Sequence, residues 1–238
     1  MAQKFMHYSE QFFGTLDQKL EKPVKNHLKD VYSVLAIGLL AAATGAYVHV
    51  CTDLLRGNLL TSLGSMAILL LLYATPDNGN NQKLRLGYFM GFAGLSGLGT
   101  GPLLDMAVRL NPSIVVTAFF GTCVVFICFT IAALYAPDRK FLYLGGILMS
   151  AVSTMFWMGL LNLFFASRFI FQLNLYAGLI VMCGFVLYDT QLIIEKRRRN
   201  DTDFIWHAVE LFIDFLDIFR RLLIILSQKE SNEKKRKD

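Results

Sequence analysis

The chain is 238 residues long, 55% hydrophobic and only 17% charged, with 20 phenylalanines and a formal net charge of +5. Those figures exclude a soluble globular domain, whose interior cannot hide so much apolar surface at this size. The charges are also segregated, and long runs of the chain carry none.

Met1–Asp30 is polar and basic, with Lys19, Lys22, Lys25 and Lys29. It lacks the apolar centre and cleavage site of a signal peptide, so insertion is expected through the first apolar run with nothing removed. Its Thr15–Asp30 stretch is amphipathic. Six charge-free runs follow: Val31–Thr52, Gly57–Pro76, Leu86–Leu104, Leu110–Pro137, Phe141–Ser167 and Phe169–Tyr188. Each reaches the ~18–20 residues that a helix needs to cross ~30 Å of hydrocarbon. A seventh stretch, Phe204–Leu226, is apolar on one side but carries Glu210, Asp214, Asp217, Arg220 and Arg221. It cannot lie alone in lipid.

Lipid leaves open backbone groups unsatisfied and nothing here alternates as barrel strands do, so the spans must be helices. The expected fold is all-α, a polytopic membrane bundle of six transmembrane helices with the semi-polar seventh packed in its core. Small residues, among them Gly38, Ala41, Ala42, Ala43 and Gly45 in one span and Gly91, Gly94, Gly97, Gly99 and Gly101 in another, predict close helix packing. Cys51, Cys123, Cys128 and Cys183 show no metal-ligand spacing, and neither disulfide nor zinc site is expected.

Basic residues are retained in the cytosol. With the N-terminus inside, thirteen Lys and Arg fall on the cytosolic side, including Lys83, Arg85, Arg139, Lys140 and Lys196–Arg199. Only Arg56, Arg109 and Arg168 fall opposite. The chain thus divides into a cytosolic N-terminal segment (1–30), the bundle (31–226) and a basic tail (227–238). The tail's Lys234, Lys235, Arg236 and Lys237 also favour the cytosol, which conflicts with a seventh helix that spans fully. Either that helix re-enters and returns, or it spans and the rule fails at its end. Asn200-Asp201-Thr202 is a glycosylation sequon that stays unmodified on a cytosolic loop.

Gly99-Thr100-Gly101-Pro102-Leu103, followed by Asn111-Pro112-Ser113 and Thr117-Ala118-Phe119, resembles the signature of the Bax inhibitor 1 (transmembrane BAX inhibitor motif) family. Ala43–His49, Phe141–Ala151 and the sixteen residues Val181–Lys196 are similar to animal members of that family. The likeness runs from about Asn26 to the tail. It implies an endoplasmic reticulum protein that suppresses apoptosis, leaks calcium from the store in response to acid, and damps the unfolded-protein response. Implied partners are anti-apoptotic Bcl-2 proteins and the stress-sensor ribonuclease of that membrane. The implied pH latch pairs an aspartate ending the sixth span with one in the seventh helix, here Asp189 and Asp214. The arginine that some bacterial relatives add is not placed in this chain, and Arg56 is no more than a guess for it. Reticular residence rests on the resemblance, since the tail only loosely resembles a dilysine signal.

The physics of the two acids points the same way. An ionisable group inside a span costs roughly 2.5–3.5 kcal/mol and demands a partner or water. Counted from Arg199, Asp189 lies about ten residues back and Asp214 about fifteen forward, so at ~1.5 Å per residue their depths differ by under ~10 Å. Two close carboxyls in a low dielectric resist double ionisation and share a proton as one unit. That is a two-state joint between neighbouring helices. Carboxylate oxygens are also the hard ligands calcium prefers. Calcium is therefore expected as a permeant ion in transient contact with Asp189 and Asp214, with no tight metal site and no cofactor.

Secondary positions follow from spacing. His207, Glu210, Asp214, Asp217 and Arg221 recur at steps of three or four and share one helix face, a stripe that fits a water-filled path. The plainer reading pairs Asp217 with Arg221 and turns Glu210 to cytosolic water. Asp105 closes the third span as a mouth acid or, more plainly, in a helix-end pair with Arg109. His49 is unremarkable.

The expected function is a non-enzymatic, pH-sensitive calcium leak. An alternative is a non-conducting scaffold, whose basic tail and amphipathic Thr15–Asp30 segment dock acidic partners or anionic lipid. A remote one is an intramembrane aspartyl protease. Tyr188-Asp189 fits its first half, but no glycine precedes Asp214 to admit a substrate strand. No nucleic-acid partner is expected, and a homo-oligomer is compatible with the sequence.

Overall fold

The computed structural model describes residues 20–52, 56–137 and 139–236. Thr15–Lys19 of the amphipathic segment and Lys237 of the tail lie outside them. The described chain folds into the expected all-helical bundle of seven helices: α1 (Lys22–Cys51), α2 (Leu59–Ala74), α3 (Gln82–Leu110), α4 (Ser113–Tyr135), α5 (Leu144–Phe165), α6 (Arg168–Arg198) and α7 (Phe204–Lys235).

Local chemistry sets the helix ends. Pro23 stands in the first turn of α1, where its missing N–H costs nothing. Asn58 and Thr61 form a reciprocal capping box at the start of α2. α5 stops where Ala166 turns left-handed, with φ 47°. Asp203 opens α7 by accepting the Trp206 N–H at 3.0 Å. Four helices, α1, α4, α5 and α6, are long and apolar enough to cross a bilayer by length and composition. α2 has 16 residues, or about 24 Å. α3 has the length, 29 residues, but six glycines dilute its apolar character.

Successive helices run antiparallel, so the bundle has two faces. The near face carries the start of α1 and the α2–α3, α4–α5 and α6–α7 turns, while the far face carries the other turns. α7 packs against α1, α3, α4 and α6 and forms the hub. Its Phe212 stands edge-on to Phe89 and Phe92 of α3, with ring centres 5.6 and 5.7 Å away, and Phe215 meets Phe126 of α4 at 5.5 Å. α1 and α3 come so close that a Cβ on Gly45 would strike the Gly94 carbonyl, and one on Gly97 would strike the backbone of Ala42. Small residues at those positions therefore set the α1–α3 distance, as the glycine pattern predicts.

The question of the seventh helix has a structural answer. α7 does not turn back. It crosses the whole bundle and ends at the far face, where Lys234 Nζ donates to the Leu110 carbonyl at 2.5 Å and Asn111 Nδ2 to Glu230 Oε1 at 3.4 Å. Residues 227–235 of the tail continue α7 as helix.

Candidate functional site

Asp189 is nine residues from the near-face end of α6, and Asp214 is ten residues into α7. At about 1.5 Å per residue both lie roughly 14–15 Å below that face. α6 and α7 pack side by side, so equal depth becomes contact: the carboxyls lie within hydrogen-bonding reach of each other. Both are buried, Asp189 at 8% and Asp214 at 3% exposure. Asp214 Oδ2 receives no hydrogen bond from the described residues. Two ionised carboxylates are acceptors only, so a hydrogen bond between them requires that one carry a proton.

The other acids of the stripe have separate partners. Glu210, one turn before Asp214, accepts from Lys196 Nζ at 3.1 Å and Trp206 Nε1 at 3.0 Å. Its charge still acts on both aspartates, and Lys196 supplies the opposite sign to Asp189. Asp217 takes the Arg221 Nε–H at 3.1 Å, the plain i,i+4 pair. Arg221 also donates through Nη1 to the Asn174 carbonyl of α6 at 3.0 Å, and its guanidinium lies where a Cβ on Gly178 would have to be. The stripe is thus a series of side-chain ties. Only Asp214, flanked by Glu210 and Asp217, meets Asp189.

Three expectations are corrected. His207 does not line a path. It is 1% exposed and hydrogen-bonded through Nδ1 to His27 Nε2 at 2.9 Å, with Asp201 at 3.7 Å from its other nitrogen. Asp105 takes His49 Nε2 at 3.2 Å in place of Arg109, and His49 Nδ1 accepts the Gly57 N–H at 2.6 Å. That leaves Nε2 as the protonated nitrogen and makes His49 a tie between α3 and the α1–α2 turn. Arg56, next to Gly57, belongs to the same far face, so Lys196 and not Arg56 is the cation beside the aspartates. Lys234, Lys235 and Arg236 are likewise at the far end of α7.

A polar plate closes the near face above the aspartates. Arg85 of α3, 3% exposed, donates through Nη2 to Asp203 at 2.5 Å and forms an ion pair with Asp77 at 3.3 Å. Arg139 in the α4–α5 turn and Arg199 both donate to Glu195 Oε1, at 2.5 and 2.9 Å. The Arg139 hydrogen bond holds the Glu195 carboxyl below its usual range against the opposing effect of burial, with Arg199 assisting. Gln191 donates to the Ala133 and Pro137 carbonyls at 3.2 and 3.1 Å and accepts the Phe141 N–H at 2.6 Å. Burial foremost, and then cationic Arg197 for His27 and Lys196 for His207, keep the two histidines below the ordinary imidazole range. These partners escaped the sequence reading, apart from the i,i+4 spacing of Glu195 and Arg199, which is legible. Among the described residues no three His, Cys, Asp or Glu side chains converge to hold a metal ion.

A family model described as "Inhibitor of apoptosis-promoting Bax1" matches residues 24–231. The chain is 53% identical over 213 residues to Bax inhibitor 1 of Bos taurus, covering 90% of each protein. It is 41% identical over 222 residues to that of Drosophila melanogaster, covering 93% of this chain and 90% of the other. With Bax inhibitor 1 of Arabidopsis thaliana it shares 39% over 217 residues, covering 91% and 86%.

Proposed function

The chain belongs to the Bax inhibitor 1 family, and from that premise we propose that this apoptosis-suppressing membrane protein acts as a proton-gated calcium leak of the endoplasmic reticulum. In this reading the near face is cytosolic, the role is regulatory and not enzymatic, and the leak tempers store calcium and so the unfolded-protein response.

The observation that carries the reading is the Asp189–Asp214 contact: two buried carboxyls at one depth, joining the hub helix to α6, with an acceptor oxygen on Asp214 that has no other donor. One shared proton holds the helices together. A second proton from cytosolic acid removes the anion that makes that bond strong. α7 then loosens and opens a path for calcium, and a carboxyl that gives up its proton there offers the hard oxygens the cation prefers without caging it.

Calcium flux from loaded liposomes containing the purified protein tests this. Flux is expected to rise as pH falls in the wild type. Asp214→Asn and Asp214→Arg are each expected to flatten the pH profile, while Ile180→Ala on the lipid-facing side of α6 preserves it. An unaltered profile in both Asp214 variants ends the gating account.

A scaffold reading draws on the near face, where Arg139 and Arg199 are 64% and 72% exposed beside Lys140. Such a surface suits acidic segments of cell-death and stress-sensing proteins, the Bcl-2 relatives and the reticular ribonuclease among them. Liposomes that stay tight at every pH select this reading.

A further inference from the structure

The far half of the bundle has a cleft that the aspartates do not use. It lies between α1 and α4, which scarcely touch each other although both pack on α3 and α7. Its volume is about 620 Å³. Ala43 and Val116 stand exposed at its mouth, while Gly97, Phe215 and Leu216 form its floor.

We propose that this cleft binds one acyl chain of a bilayer phospholipid, drawn from the leaflet at the far face. Its lining is hydrocarbon apart from a few side-chain tips, and an apolar cavity of this kind does not hold ordered water. Left empty, its walls would lose their dispersion contacts outright. A polar ligand has nothing to bind at the floor. The Thr100 hydroxyl there already donates to the Ser96 carbonyl at 2.9 Å and accepts from Arg220 Nε at 2.9 Å.

Length selects the occupant. Along α1 the lining extends from Leu39 to Cys51, about 18 Å of helix ending at the far face. That is close to one leaflet's share of a hydrocarbon core of about 30 Å. A partner's transmembrane helix would need the full thickness, whereas an acyl chain needs half. The volume falls within the 300–1,000 Å³ typical of ligand sites. A chain seated there rests on Phe215 and Leu216, next to Asp214 in sequence, and props the hub helix from the far side. The proposal does not depend on the leak, since its site and its tests lie apart from the near-face acids.

Two measurements test it on the full-length protein. In vesicles of phosphatidylcholine doped with an analogue bearing a photoreactive diazirine at mid-chain, adducts are expected on residues 39–51 and 112–120, falling at least fivefold under excess unlabelled lipid. In mild detergent, intact-complex mass spectrometry is expected to find one phospholipid per chain. Ala43→Trp and Val116→Trp, which fill the mouth, should lose it, and Ile180→Trp, outside the cleft, should keep it. Adducts scattered over every lipid-facing helix without saturation overturn the proposal. Retention in both mouth variants overturns it too, as does a lipid-free dimer whose interface covers the cleft. The photolabelling arm uses wild-type protein and stands whether or not the variants fold.

Discussion

α5 and α7, of 22 and 32 residues, are opposite in character. α5 carries no charge, has Leu148 as its one buried residue, and packs chiefly on α6, with Gly145 against the Tyr188 ring and Leu148 against Gly184. α7 carries acids and arginines along its length and is buried among four helices. In a water-soluble protein these assignments would be reversed. In a bilayer the solvent is hydrocarbon, so a helix without charges can stand outermost, and the helix whose polar groups need partners goes to the centre. Burial here measures dependence on neighbours, not hydrophobicity.

Paired truncations test that contrast most strongly. Phe212→Ala removes a fully buried ring seated between Phe89 and Phe92, and is expected to cost about 3–4 kcal/mol. Phe164→Ala, at a side chain 81% exposed to lipid, is expected to stay within about 0.5 kcal/mol. Reversible unfolding in mixed micelles measures both, and equal losses would erase the distinction between hub and rim.

The polar ties of α7 come next in size. Arg221→Ala takes away the bond to Asp217 and the bond to the α6 backbone, with an expected cost of about 2 kcal/mol in the same titration. Arg168→Ala, at the far-face start of α6, serves as the exposed control.

The smallest effect is a pH slope. His27 and His207 are held below the ordinary imidazole value, so the unfolded chain binds protons that the folded chain refuses. Stability then falls as pH drops below about 6.5, the unfolded value. The charges facing the pair are Asp30 on α1, Lys196 and Arg197 on α6, and Asp201 and Asp203 before α7. Thermal midpoints taken from pH 7.5 to 5.5 should decline less for the His27→Gln/His207→Gln double variant than for wild type. Parallel slopes would assign the acid sensitivity to other groups.

Much of this architecture is legible in the chain, for a physical reason. Span positions follow from charge-free runs, because one charge in hydrocarbon costs enough to be avoided. The same cost makes Asp189 and Asp214 conspicuous, and counts of about ten and fifteen residues from one turn bring them within ~10 Å in depth, while the true helix ends make the depths equal. Pairings between distant helices are illegible. His27 and His207 are 180 residues apart, and Arg85 reaches Asp203 across 118. Nothing local in either partner announces the other until helix order is known. For the same reason the sequence leaves the counter-charge to the aspartates unplaced and pairs Asp105 with its nearest arginine. The course of α7 was undecided because charge rules weigh the tail against the loops, whereas packing against the α3–α4 turn decides it.

α7 ends beside Leu110, at the opposite end of the bundle from the start of α1. The first and last described helical turns are therefore separated by the full height of the bundle. Lys234 and Lys235 are then no extension of the basic surface around Arg139 and Arg199, and no single soluble partner can grip both clusters at once.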